Sequence, residues 1–350
     1  MEQGALRYVF GPVLSGRLGR SLGLDLLGLR VCSMNCVYCE SGRLERLTLE
    51  RKAYVPAETL LDELRSWEAA RAERGEPLPD VVTLGGLGEP TLNSDLPAII
   101  DGVRCILPGV PVAVLTNASL MIDPQVRAEL AKADMILPSL DSLVPEEFAR
   151  VNRGHLGLDP AAIAEGVLAF RRESGALLFL EVLLVAGVND SARNLELLTQ
   201  YCVRLRPDRV DVTTLSRPGT EAWARPVDAK TLSRWRETLG PTAVSCDREP
   251  ADERARVAGR AEKGQEHSGG MSLPEVRARI QASLVRRPQT ALQLASALLA
   301  EPALVERALT ELLDQGLAEK VRRDTAAAGL ATDTIGAADA AGEVYYQARG

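Results

Sequence analysis

Residues 24–39 read LDLLGLRVCSMNCVYC. The first half, Leu24 to Val31, is apolar enough for a strand buried on both faces. The second half sets Cys32, Cys36 and Cys39 in a C-x3-C-x2-C pattern on a loop at that strand's C-terminal end. Outward to residue 239, short apolar runs alternate with longer segments of helical period, the pattern of βαβ units on a parallel sheet. The runs are Leu24–Val31, Asp80–Leu84, Pro111–Leu115, Asp134–Leu137, Leu177–Leu184 and Arg209–Thr214. Helices are expected over Ala57–Arg74, Leu96–Ile106, Pro124–Lys132, Pro160–Glu173, Ser191–Leu205 and Asp228–Leu239. Six such units fit an open doubly wound sheet or an incomplete barrel, and both gather functional residues at the strand C-termini.

Beyond this α/β region the chain changes character. Residues 247–270 are charged and glycine-containing with hardly a large apolar side chain, which reads as a linker between a first domain, 1–246, and a second, 271–350. In the second, Leu273–Leu284, Thr290–Leu298 and Pro302–Gln315 read as helices, and Leu317–Arg323 and Val344–Gln347 as strands, the order of a winged helix. The low-complexity residues 324–343 between those strands suit a mobile wing insertion.

Composition narrows the function. With 46% apolar and 25% charged residues, the 350-residue chain is neither fibrous nor disulfide-stapled. Its longest apolar stretch, Leu177–Val188, is interrupted by Glu181 and too short to cross a bilayer, and the N-terminus lacks a signal-peptide pattern. A cytoplasmic protein without membrane contact is expected. The net charge of −7 gives nucleic acid no general attraction. Two histidines, His155 and His267, leave little from which to build a triad or a multi-histidine metal centre. Of six cysteines, Cys105, Cys202 and Cys246 are scattered; Cys105 and Cys202 fall in expected helices and read as small buried thiols, with a second cluster as the alternative.

Three thiolates on one loop suit an iron–sulfur cluster with one iron left open for another ligand. A structural zinc site and an inert loop are the competing readings, although no second cysteine knuckle is present. On this triad the chain resembles the radical S-adenosylmethionine (SAM) superfamily, with Tyr38 at its aromatic position before the third cysteine. The resemblance implies a partial (β/α)6 TIM-type barrel. It also implies a 4Fe–4S cluster on Cys32, Cys36 and Cys39 as metal-holding and catalytic residues. SAM would be cleaved reductively to a 5′-deoxyadenosyl radical that abstracts hydrogen from a substrate, with an electron donor such as flavodoxin or ferredoxin. Gly86, Gly88 and Glu89 match the superfamily's glycine-rich motif; taken alone they also read as a structural turn. Thr116 and Asn117 resemble its Thr-Asn-Gly strand ending. Ser139, Asp141, Asn152, Arg153 and Asn189 end later strands as expected SAM or substrate contacts, with helix caps and turns as the plain alternative.

Phe10–Gly23, Gly42-Arg43 and Gly88–Leu92 further resemble the wyosine-synthase-related, tRNA-modifying branch, which makes RNA a candidate substrate. Residues 1–52 support this mildly, with eight basic against five acidic residues. The chain departs from true wyosine synthases, which carry extra cluster-binding machinery or a flavin domain: no cysteine precedes Cys32. DNA is disfavoured, because the candidate recognition helix region holds Glu301, Glu306, Glu311 and Asp314 against Arg307. A basic wing from Arg286, Arg287, Lys320, Arg322 and Arg323 keeps a second class open, a metal- or redox-sensing transcriptional regulator.

Overall fold

The computed structural model describes residues 6–217, 219–239, 271–322 and 344–349. The expected linker, the wing insertion and Cys246 lie outside them. Strand β1 (Val9–Ser15) runs antiparallel to β2 (Gly19–Asp25). The expected first strand, Leu24–Val31, is therefore misplaced: Gly19–Asp25 occupies the sheet, and Val31–Cys32 (β3) pairs separately with Arg46–Leu47 (β4). Glycines hid the hairpin. Gly19 takes φ +75° at the turn, and an added Cβ on Gly23 would stand 2.1 Å from the Phe10 ring. Asp25 ends β2 by accepting the Leu27 and Gly28 N–H groups, a local turn that competes with the strand.

From β2 the chain builds six parallel βα units. The strands β5 (Val81–Gly85), β6 (Val112–Thr116), β7 (Met135–Pro138), β8 (Leu177–Leu184) and β9 (Arg209–Thr214) follow in spatial order, each paired in parallel with the one before. Between and after them lie α1 (Ala57–Glu73), α2 (Leu96–Ile106), α3 (Pro124–Leu130), α4 (Pro145–Val151), α5 (Pro160–Glu173), α6 (Ala192–Leu205) and α7 (Ala229–Thr238). Asp123, Asp159, Ser191 and Asp228 cap four of these by accepting N–H groups of the first turn, and proline opens α3 and α5. The helices cover one face of the sheet in a large core around Trp67, Phe170 and Trp235.

The other face curls on itself. Arg17, in the β1–β2 turn, pairs with Glu181 of β8, and its carbonyl lies 3.5 Å from the Arg209 guanidinium of β9. The two sheet edges thus reach each other through side chains, while no ladder joins β9 to β1 among the described residues: the sheet is an open half-barrel. Leu18 plugs its N-terminal end against Val81, Ala113, Leu137 and Phe179. No described helix is long and apolar enough to cross a membrane.

The C-terminal segment forms α8 (Leu273–Leu284), α9 (Ala291–Leu298), α10 (Pro302–Asp314) and an antiparallel pair, β10 (Ala318–Arg322) with β11 (Val344–Ala348). These elements stand where the sequence expects them, around a core of their own. They seat on the hairpin edge of the half-barrel. Arg286 donates to the Arg7 carbonyl at 2.5 Å and to Asp25 at 2.9 Å, Arg287 donates to the Leu14 carbonyl, and Tyr345 to the Ser216 carbonyl.

Candidate active site

The cysteine loop is held by the C-terminal ends of successive strands. The Val31 carbonyl accepts from Glu89 N–H after β5. Ser33 Oγ lies 2.6 Å from Ser119 Oγ and accepts from Asn117 Nδ2 at 2.9 Å, both partners following β6. After β7, His155 N–H donates to the Ser33 carbonyl, and the Asn35 and Val37 N–H groups donate to the Asn152 and Val151 carbonyls. After β9, Thr220 donates to the Cys39 carbonyl. A loop with no regular structure beyond Cys32 is thereby fixed at the mouth of the half-barrel.

Close backbone approach explains the glycines. A Cβ on Gly88 would stand 1.7 Å from the Val31 carbonyl oxygen, and one on Gly86, at φ +109°, 2.6 Å from Asp25 Oδ1. Glu89 is 2% exposed and engaged on both oxygens: Oε1 accepts from Thr91 N–H, Thr91 Oγ1 and Thr116 Oγ1, and Oε2 accepts from Asn117 N–H. Burial pushes its carboxyl up, and those donors pull it back. Glu89 and Thr116 thus brace the ends of β5 and β6 against one another.

Asp141 is the corresponding node after β7. Tyr38 Oη and Asn152 Nδ2 donate to its Oδ2, and Leu183 N–H to its Oδ1. Asn189 is fully buried and donates to the Asp141 and Leu183 carbonyls while accepting from Val185 N–H. Its amide is used within the protein, so it holds the node instead of facing a ligand. Ser139 is half-buried near Glu181. Arg153, at φ +46°, pairs with Glu221 beside Trp223 at the rim.

Cys32, Cys36 and Cys39 share one environment. Asn117 Nδ2 and Asn152 Nδ2 each lie 3.4 Å from the sulfur of Cys32 and Cys36 respectively. Burial pushes the Cys32 thiol up to about 12, with Glu89 adding to the effect; burial raises Cys36 and Cys39 as well. Such thiols need a cation to become thiolates. As they stand, no three Cys, His, Asp or Glu side chains among the described residues form a group able to hold a metal ion. The chemistry of the donor set nevertheless fits an iron–sulfur cluster: three cysteine thiols on one loop, two of them met by amide donors of the kind that tune cluster thiolates.

Beside the loop a cavity of about 260 Å³ opens inside the half-barrel. Phe10, Thr83, Gly86 and Gly88 line one part of it, and Glu40 and Ser41 follow directly from Cys39. The C-terminal segment contributes Arg286 and Arg287. This corrects the expected basic wing: Arg286 is 7% exposed, faces the half-barrel and stacks 4.8 Å over the Phe10 ring. The Cys105 expectation is corrected too. It lies on α2 but is exposed, because Leu96, Ile99, Ile100 and Val103 form the buried stripe of that helix; Cys202 is partly buried against the core.

Sequence reading missed Asp25, Ser33, the inward role of Arg286, and Asn194, which donates to the Asp141 and Asn189 carbonyls. A single acid in the apolar run LGLDLLGL was the available signal for Asp25, which is fully buried. Nothing in the sequence pairs it with Arg286, 261 residues away.

No protein-family model matches the chain. It is 32% identical over 216 residues to the GTP 3′,8-cyclase of Rhodococcus opacus, covering 60% of this chain and 55% of that one. Over 134 residues it is 28% identical to an S-adenosylmethionine-dependent nucleotide dehydratase of Lacinutrix mariniflava, 38% of this chain and 26% of that one. To the UPF0026 protein of Helicobacter pylori strain J99 it is 37% identical over 222 residues, 63% of this chain and 70% of the relative. That identity, sustained over so much of the relative's length, places the chain: it belongs to the UPF0026 family.

Proposed function

We propose that this protein is a radical SAM enzyme acting on a nucleotide or RNA base. The observation that carries the reading is the cysteine loop itself, tied by backbone and side-chain hydrogen bonds to the ends of β5, β6, β7 and β9 at the mouth of a half-barrel. Cys32, Cys36 and Cys39 hold a 4Fe–4S cluster. When bound, that cluster supplies the electron that cleaves SAM to a 5′-deoxyadenosyl radical.

The chain's own residues do the positioning. Gly86 and Gly88 bring bare backbone to the cofactor, Glu89, Thr116 and Asn117 fix that strand end, and Asp141 with Asn152, Tyr38 and Asn189 fixes the opposite one. Asn152 Oδ1, buried and without a donor among the described residues, offers an acceptor beside Cys36. Ser139 and Arg153 lie further along the same rim. The cavity next to the loop, walled in part by Arg286 and Arg287 of the C-terminal segment, is the substrate site. The tRNA base remains the substrate suggested by the wyosine-type resemblance, and the two relatives whose names specify nucleotide chemistry support a nucleobase-bearing substrate. The regulator alternative loses Arg286 and Arg287 from its basic wing, because both line the half-barrel cavity.

Anaerobic reconstitution tests the cluster. Wild-type protein should bind about four iron and four sulfide per chain. Cys36→Ala should lose most of both while keeping its far-ultraviolet circular dichroism. Full iron–sulfide loading of a folded Cys32/Cys36/Cys39→Ala protein would refute the assignment.

A further inference from the structure

We infer that residues 43–52 and the Leu156 tip form the docking surface for a small acidic one-electron carrier protein. The inference rests on the radical SAM reading and adds the route by which the electron arrives.

β4 is the outer neighbour of the cysteine loop. Its Leu47 is the ladder partner of Cys32, and Thr48 N–H donates to the Cys32 carbonyl. Adjacent strand backbones stand about 4.8 Å apart, so a protein resting on β4 comes within one strand's width of the first cluster ligand. The second wall is as close: Gly154 bridges Met34, and His155 N–H donates to the Ser33 carbonyl. The two walls meet, because a Cβ on Gly157 would lie 3.6 Å from Leu49 Cδ1.

This surface has an apolar apex in a charged frame. Leu156 is 103% and Leu47 41% exposed. On residues 43–52 the exposed charges are Arg43, Arg46 and Lys52 against Glu45 and Glu50, a balance of +1 in a chain of −7. Arg51 turns inward to Glu129, while Arg46 and Lys52, about half exposed, share Glu50 as their one acidic partner among the described residues and so keep a net positive charge between them. An acidic carrier is repelled by the molecule as a whole and drawn to this segment, which orients it toward Cys32. The carrier is oxidised by one electron. That electron ends in the sulfonium of SAM, whose S–C5′ bond breaks to give methionine and the 5′-deoxyadenosyl radical.

The test uses the full chain, reduced and oxidised ferredoxin and flavodoxin as probes, and the variants Leu156→Glu and Arg46→Glu/Lys52→Glu. Binding of the oxidised carriers, measured by calorimetry at low and high salt, needs no turnover. At least one carrier should bind wild type with an affinity that falls as salt rises, and each variant should weaken it at least tenfold at low salt. With dithionite, which needs no docking surface, SAM cleavage by the variants should stay within twofold of wild type. Unchanged carrier affinity in both variants overturns the proposal, as does an equal loss with dithionite and with protein donors. Carrier binding to this surface without any dithionite-driven cleavage would overturn the radical SAM reading instead.

Discussion

Arg286→Met should destabilise the protein by about 3–5 kcal/mol and weaken SAM binding at least tenfold. The arginine is 7% exposed and its partner Asp25 is fully buried. Removing one member of a buried pair strands the other charge, and losses of about that size are usual. The effect reaches the proposed SAM loop directly. Asp25 Oδ1 accepts the Leu27, Gly28 and Leu87 N–H groups, and Gly86 packs against the same carboxylate. The C-terminal segment therefore holds, through one guanidinium, the carboxylate on which the glycine loop is built. Arg286→Lys should recover only part of the loss, because a single ammonium cannot serve Asp25 and the Ala282 and Arg7 carbonyls together. Adding Asp25→Asn to Arg286→Met should restore part of the stability by removing the stranded charge. Denaturant titration and equilibrium dialysis of SAM check both readouts. Wild-type SAM affinity in a stably folded Arg286→Met protein would show that the segment only packs there.

Gly88→Ala should be the most damaging single methyl group in the half-barrel. Its Cβ has no space, with the Val31 carbonyl oxygen at 1.7 Å and Leu27 Cδ1 at 2.7 Å. Relief requires separating β5 from the cysteine loop and breaking the Glu89 N–H bond to Val31. A loss above about 4 kcal/mol, or failure to accumulate folded protein, is expected. Gly175→Ala is the matched control: nothing lies within 4 Å of its added Cβ, so its stability should stay within about 0.5 kcal/mol of wild type. A Gly88→Ala protein as stable as that control would contradict the tight packing of loop on strand.

The six βα units were legible because parallel strands buried on both faces leave unbroken apolar runs, and Leu177–Leu184 and Arg209–Thr214 occur with the expected bounds. The hairpin was not, because its strands are written with glycines whose role is to pass under Phe10 or turn at Gly19. Short α4 also escaped, being seven residues long between two loops. The site was half legible. Cysteine spacing and Gly88-Glu89 are local signals, but the bracing of Glu89 by Thr116 and Asn117 depends on partners 27 and 28 residues away. Arg286 reads as a surface cation in its own segment and becomes a buried partner only when that segment meets the hairpin edge.

The most direct measurement follows 5′-deoxyadenosine by mass spectrometry after anaerobic reconstitution, with dithionite and SAM added to wild-type protein and to the Cys32/Cys36/Cys39→Ala variant. Product from wild type and none above background from the variant is the predicted result. No product from wild-type protein carrying an intact four-iron cluster and bound SAM, or equal product from the variant, would contradict the account.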